Sequence, residues 1–398
     1  MPLSNKPLGV RGRNRATLLE MLRRNQDLSR AELSRRSGLS EGAISRIVGE
    51  MVSEGLIIES GEENSTGGRP SVRLRIDAGA LRAAGADIHA WQTRMAMGTL
   101  DGRILASTHF RTPGNPEETI ELIATQYREW RKNTALEGLG ISVRGIVDSE
   151  AGVLRIGSEQ AWHGAQVRRW LSDRIQQPVY VENNVRAAAL AEYGRAGSEQ
   201  PPAACMLFVR IDEGIGMSLI LDGEVYRGRR MAAGEIGQMV VADVPGKGRQ
   251  DRPGCLEQTV SNPAIVAAYQ RRKAAGSRAL QGETEVRVRR ICHRANQGET
   301  AAVVVLAEAS RALGIALANL VWTLDPDVII IDGAITEAWP LLLAGIREQF
   351  PEGREFLSFR QLQLRPSSLG ADASLLGSMG LPFTRLFQTG ERTARRGN

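Results

Sequence analysis

Only three cysteines, Cys205, Cys255 and Cys292, occur in 398 residues. A set that is odd, sparse and widely spaced argues against a disulfide framework and fits a reducing cytoplasm. No apolar run approaches the roughly 20 residues that span a bilayer. Residues 1–10 hold Lys6 without the apolar stretch of a secretory leader. No membrane partner is therefore expected. What the chain does have is an ordinary globular composition, 42% hydrophobic and 24% charged. Its length accommodates two or three domains of roughly 100–200 residues.

The formal net charge is +6, and its placement says more than its size. Ten Lys and Arg against five Asp and Glu leave +5 within residues 1–50. A basic head on a nearly neutral body is the footprint of phosphate-backbone binding. Charge alone leaves a solvated arginine-rich face equally open.

Residues 14–25 carry Leu18, Leu19 and Leu22 on one helical face. Ser29 opens S-R-A-E, a capping box with Glu32 at the third helical position, and Gly38 is placed to end that short helix. Ser40 then caps a third helix, whose apolar positions Ile44, Ile47, Val48, Met51 and Val52 recur at helical spacing, and Gly55 ends it. Residues 56–58 read as a strand, 62–68 as a polar turn, and 71–76, alternating Val72, Leu74 and Ile76 with polar residues, as a second strand. The two strands make a wing. A short helix, a tight turn and a second helix form the helix-turn-helix pattern, whose last helix enters the major groove. With its apolar set turned inward, Ser40, Glu41, Gly42, Ser45 and Arg46 are candidate DNA-facing residues. Arg46 suits guanine or phosphate, Glu41 suits cytosine N4, and the two serines suit phosphate. Gly67-Gly68-Arg69-Pro70 is slim, extended and cationic, which makes Arg69 a candidate for a narrow minor groove. Its plain alternative is a turn with one charge, and the head's alternative is a protein-docking module.

From Leu81 onward strands and helices alternate and glycines multiply. Residues 138–148 read as a buried strand running into a turn, and 178–193 as strand, polar turn and helix. Residues 205–226 read as two strands around Asp212-Glu213-Gly214-Ile215-Gly216, ending at the hairpin Asp222-Gly223. Residues 316–334 read as a helix followed by D-P-D-V-I-I-I-D-G-A. With A-G-E-I-G-Q at 233–238 and G-C-L-E at 254–257, these segments put polar residues at strand ends beside glycine turns, where α/β proteins bind ligands. The ordered set of G-R-P, E-N-N before an alanine-rich helix, E-G-I-G, A-G-E-I-G, G-C-L-E and L-G-A-D-A-S-L-L-G-S resembles the family named for repressors, open reading frames and kinases (ROK). Within it the chain is similar to the transcriptional branch of xylose and N-acetylglucosamine repressors, over nearly its whole length. The resemblance implies an α/β fold class, with a winged helix-turn-helix DNA-binding domain over residues 1–76. Residues 77–398 would form a two-lobed actin-like ATPase (ribonuclease H-like), sugar-kinase-type domain for effector binding and dimerisation, with a sugar cleft between its lobes.

The departures from that family matter as much. Its active kinases carry D-x-G-G-T-K, a glycine turn whose backbone N–H groups hold ATP phosphates. The same place reads Asp87-Ile88-His89-Ala90-Trp91-Gln92 here. The second phosphate turn, G-T-G-I-G in kinases, carries Asp212 and Glu213, which repel polyphosphate. The position of the catalytic Asp is Asn184, an amide that cannot serve as a general base. The zinc-site His is Gln238, and of the cluster C-x-C-G-x-x-G-C only Cys255 is kept, too few ligands for a tetrahedral site. The resemblance with these losses implies no kinase activity, no catalytic residue, no cofactor and no metal.

By resemblance, the sugar contacts are Asn183, Asn184, Glu235, Gln238 and Glu257, with Gly145 nearby. All five are acids or planar amides that pair with hydroxyls. A buried cluster of this kind needs partners, which favours a bound sugar over a decayed pocket. The expected partners are a double-stranded DNA operator, a small sugar effector and further copies of the chain, as a homodimer or tetramer. The expected function is sequence-specific repression of carbohydrate-utilisation genes. Its alternatives are a sugar kinase with a fused DNA-binding head, and a ligand-independent regulator or adaptor.

Overall fold

The structure, a computed structural model, describes residues 9–25, 27–63, 71–196, 203–241, 254–273, 280–350 and 362–389. It divides into two compact units, residues 1–201 with 373–398, and residues 202–372.

Unit 1 opens with the head: α1 (Val10–Arg24), β1 (Leu28–Ser29), α2 (Arg30–Ser37), α3 (Glu41–Ser53), β2 (Ile57–Glu63) and β3 (Ser71–Ile76). Ser29 Oγ accepts the Glu32 N–H at 3.2 Å, and the Glu32 carboxylate accepts the Ser29 N–H at 2.8 Å. The capping box is therefore closed in both directions. Gly38 ends α2 at φ 72°, in the left-handed region that favours glycine. Three features differ from expectation. α1 begins at Val10 rather than Asn14. β2 continues through Glu62 and Glu63, which pair with Val72 and Ser71 where a polar turn was expected to have begun. Leu28 and Ser29 add a third strand, paired with Leu74 and Arg73, which is too short for alternation to reveal. Residues 64–70, with the predicted Arg69 element, lie outside the described residues.

The rest of unit 1 is a five-stranded sheet in the order β10-β7-β4-β5-β6, made of β4 (Arg82–Ile88), β5 (Gln92–Thr99), β6 (Ile104–Arg111), β7 (Leu139–Val143) and β10 (Val179–Asn183). β4, β7 and β10 run parallel, and β4 to β6 form an antiparallel meander. A ribbon of β8 (Gly145–Asp148) and β9 (Val153–Gly157) stands beside it. Alternation sorts the two faces. Ala84, Ala86, Leu139, Ile141, Val179 and Val181 pack with α4 (Pro116–Arg131) and α5 (Val167–Ile175). The opposite face meets α6 (Asn184–Ala196) and the C-terminal helix α12 (Ala373–Thr389). There the packing is backbone on backbone. A Cβ on Gly140 would strike the Ser378 carbonyl oxygen, and one on Gly377 would strike that of Ala187. α12 also reaches the head, since Phe383 and Leu386 belong to the same buried cluster as Leu18, Leu22, Leu33, Ile44, Ile47 and Met51.

Unit 2 has a sheet in the order β13-β12-β11-β14-β15, from β11 (Cys205–Ile211), β12 (Ile215–Leu221), β13 (Glu224–Tyr226), β14 (Val328–Asp332) and β15 (Gln363–Pro366). Its core also draws on α7 (Glu257–Val260), α8 (Asn262–Arg272), α9 (Thr284–Asn296), α10 (Thr300–Leu324) and α11 (Trp339–Arg347). The β12–β13 hairpin turns at Asp222 and Gly223, both at positive φ as the two-residue turn requires. α10 corrects one expectation, because it is long and apolar enough to cross a membrane. Glu308 and Arg311 interrupt its apolar run in sequence but not its helix. Val305, Leu306, Leu313, Leu317 and Val321 on it are buried in the core of unit 2.

Candidate functional site

In the head, Ser40 Oγ accepts the Ala43 N–H at 3.4 Å and starts α3. Ile44, Ile47, Val48 and Met51 are fully buried or nearly so, which fixes the helix's rotation. Ser40, Glu41, Gly42, Ser45 and Arg46 then share its exposed N-terminal side. Two of them are serines and one is a glycine, so a nucleic-acid backbone meets little steric bulk there. The acids nearby are held by cations. Glu50 pairs with Arg11 at 2.9 Å and with Arg15 at 3.5 Å, and Glu54 pairs with Arg15 at 2.5 Å. Glu32 pairs with Arg73 at 2.7 Å, and Glu59 with Arg30 at 2.8 Å. The hydrogen bond from Arg11 lowers the Glu50 carboxyl below its usual range. With these acids neutralised, Arg46 and two further exposed arginines in the last turn of α2, Arg35 and Arg36, carry the positive field. Reading the sequence for α3 alone missed that pair. Their signal was the charge count beside the Gly38 turn.

At the C-terminal ends of the unit 1 strands, Asp87, Ser142 and Glu182 stand in register across β4, β7 and β10, all almost fully buried. Asp87 accepts from the Ser142 hydroxyl and from His89 Nε2, the latter at 2.9 Å. Glu182 accepts from Ser149 at 2.8 Å and from the Asn183 N–H at 2.9 Å, and pairs with Arg186 at 3.4 Å. Asn183 is deeply committed. Its amide donates to the Gly145 carbonyl at 2.9 Å, and its Oδ1 accepts the Val185 and Arg186 N–H groups at 2.9 and 3.2 Å. It therefore caps α6 directly, and no polar turn separates strand from helix as had been expected. Gly145 sits at φ 120° against Ile156, a position closed to other residues. Asn184 is 5% exposed, and its side-chain amide has no hydrogen-bond partner among the described residues.

In unit 2 the Ile215 N–H donates to Glu257 Oε2 at 3.2 Å. A Cβ on Gly214 or Gly237 would come within 2.8 or 2.9 Å of the same oxygen. The Glu257 carboxylate is thus seated between the Asp212–Gly216 turn and Gly237 of the short 3-10 turn Ile236–Gln238. Glu235 is exposed and Gln238 half-buried, so the premise of a uniformly buried acidic cluster does not hold. The five predicted sugar residues divide between the units, with Asn183 and Asn184 in unit 1 and Glu235, Gln238 and Glu257 in unit 2. A buried ion pair, Arg210 to Asp332 at 2.7 Å, joins the ends of β11 and β14. Its trace in the sequence was an arginine inside the apolar run of β11. Cys255 is buried, and the loop before it, residues 242–253, lies outside the described residues.

Comparison with known proteins places these features. A family model described as the ROK family matches residues 83–383, and one described as winged helix-turn-helix DNA-binding matches residues 14–58. The xylose repressor of Bacillus spizizenii is 27% identical over 372 residues, covering 92% of this chain and 93% of that protein. The N-acetylglucosamine repressor of Escherichia coli O157:H7 is 26% identical over 348 residues, covering 85% of this chain and 84% of that protein. In fold, the chain is similar to a crystal structure of a ROK family transcriptional regulator, a homologue of the E. coli MLC protein. That likeness has TM-score 0.80 and 23% identity, over 96% of this chain and 97% of that one. It is also similar to a ROK family glucokinase from Streptomyces griseus, solved with glucose and AMPPNP. Here the TM-score is 0.62 and the identity 27%, over 75% of this chain and 98% of that one.

Proposed function

The chain belongs to the ROK family, as a transcriptional regulator with a winged helix-turn-helix head, and on that premise we propose that it represses sugar-utilisation genes and leaves its operator when a sugar binds. The observation that carries the proposal is the exposed N-terminal side of α3, with Arg46 and small polar residues presented while neighbouring acids are neutralised. Arg69 on the wing joins Ser40, Glu41, Gly42, Ser45 and Arg46 as the proposed DNA contacts. The proposed division is a DNA-binding domain to residue 76 and an effector domain from residue 77. Asn183, Asn184, Glu235, Gln238 and Glu257 take the sugar contacts, and the effector is a sugar or sugar derivative. The protein works in the cytoplasm as a homodimer or tetramer on a two-fold-related operator. The sugar acts only through its different affinity for the DNA-competent and DNA-released states.

No kinase activity is part of the proposal. The imidazole of His89, anchored by Asp87, stands in the first turn. The Glu257 carboxylate takes the Ile215 N–H in the second. An amide at Asn184 replaces a general base. Sugar-dependent ADP release in a coupled assay would reverse this part. Footprinting and fluorescence anisotropy with a sugar panel test the regulator itself. The expected result is a protected two-fold site whose affinity falls with one sugar, and the absence of sequence-preferential DNA binding under every condition sinks the proposal.

A further inference from the structure

The short turn between β4 and β5 carries side chains that neither the DNA contacts nor the five sugar contacts use. His89, Ala90 and Trp91 form it, closed by the His89 N–H donating to the Gln92 carbonyl at 3.1 Å. It is pinned from the side by Thr112, whose N–H donates to the Trp91 carbonyl at 3.1 Å and whose hydroxyl donates to the His89 carbonyl at 2.7 Å. The backbone is therefore held while the side chains face outward, with the Trp91 indole 52% exposed. His89 is half-buried and aimed. The Asp87 carboxylate only accepts, so Nε2 carries the proton donated to it. Nδ1 is then the ring nitrogen left for a ligand.

The turn lies at the same end of the sheet as Asn183 and Asn184. Ile88, Val143 and Asn183 are in register across β4, β7 and β10, and His89 is the next residue after Ile88. Two inter-strand spacings separate β4 from β10, and Trp91, which leads into β5, stands one spacing further, roughly 14 Å from β10, which exceeds one pyranose ring and suits two or more linked rings. The charge behind the turn selects the ligand. Asp87 is a buried carboxylate directly behind the turn, while Glu182 is paired with Arg186, so the nearest buried charge to the turn is negative and disfavours phosphates and other anions. A rigid indole with an apolar face and a nearby ring nitrogen suits the C–H face and hydroxyls of a neutral saccharide.

We propose that the His89–Trp91 turn is a second saccharide subsite in unit 1, so that the effector is a disaccharide or longer glycoside whose further ring stacks on Trp91. The proposal rests on the sugar reading above and deepens it. Calorimetric titration of the full chain tests it with three pairs of probes: xylose and xylobiose, N-acetylglucosamine and chitobiose, glucose and cellobiose. Wild type, Trp91→Ala and Trp91→Phe are compared. The expected result is one pair in which the disaccharide binds about tenfold more tightly than its monosaccharide. Trp91→Ala removes that advantage without changing monosaccharide affinity, and Trp91→Phe keeps most of it. A shift in tryptophan emission on disaccharide binding is present in wild type and lost in Trp91→Ala. Equal affinity for both members of each pair, or full disaccharide affinity in Trp91→Ala, overturns the subsite and leaves the sugar reading standing. No binding of any probe overturns both.

Discussion

Which charges are already occupied decides what single residues do. Arg11, Arg15 and Arg73 hold carboxylates, whereas Arg35, Arg36 and Arg46 are exposed beside the helix-turn-helix turn. Arg46→Ala should weaken operator binding by roughly 1–3 kcal/mol and relax preference at one base pair, whereas Arg36→Ala should weaken all DNA alike and reduce the salt slope by about 1. Anisotropy titrations at several salt concentrations separate the two outcomes. Glu32 gives the head a pH dependence. The Ser29 backbone N–H above all, then the Ser29 hydroxyl and Arg73, hold its carboxyl below the usual glutamate range against the opposing effect of burial. A carboxyl lowered in the folded state stabilises fully above its unfolded pKa, and that stability is lost as pH falls through the lowered value. Melting of Glu32→Gln should therefore show a shallower acid limb than wild type, with the two differing most near neutral pH. Burial pushes the thiols of Cys205 and Cys292 up to about 11 and about 12. Alkylating reagent at neutral pH should leave both unmodified until the chain unfolds.

At the scale of elements, α12 joins parts of unit 1 that are far apart in sequence. It lies on the glycines of the sheet and against α6, whose first residue is Asn184, and it also contributes Phe383 and Leu386 to the head core. At its far end the Arg23 guanidinium of α1 sits 5.4 Å above the Phe387 ring. A methyl group at Gly140 cannot be absorbed by a flexible side chain, because it meets the backbone of α12. Gly140→Ala should lower stability by about 1–3 kcal/mol and weaken DNA binding as well, read by thermal melting and anisotropy. A defect in stability alone would mean that the head does not depend on α12. Local elements were legible in the sequence wherever a short-range device encoded them. The Ser29–Glu32 box, the Gly38 stop, the Ser40 cap and the Asp222-Gly223 turn are each complete within a few residues. β1 and the extension of β2 were not legible, because both depend on pairing with β3, which for β1 lies far along the chain and for β2 lies across the turn, and neither is set by a device within the segment itself.

For the whole molecule, the proposed sugar should raise the melting temperature, since a ligand bound only by the folded chain adds about 2.7 kcal/mol at 100 times its Kd. Operator affinity should fall steeply with salt, as phosphate contacts require. A weak salt dependence would favour a head that docks on protein. Light scattering should show a dimer or tetramer, and a monomer at operator-binding concentrations would remove the two-fold arrangement.

What the sequence determined by itself was the order of the parts and their chemistry. These were a basic three-helix head, an α/β body with polar strand ends, a first phosphate turn without glycine and a second carrying two acids, and an amide in place of a catalytic acid. Those properties follow from residue type and short spacing, which a linear reading preserves. Tertiary structure decided which polar groups are already spent. Asn183 proved to be a helix cap bonded to Gly145, Glu257 took the Ile215 N–H, and Glu235 was left exposed. It also carried α12 back from the end of the chain to the head. Hydrogen-bond partners and burial depend on contacts between distant residues, and neither composition nor periodicity records those.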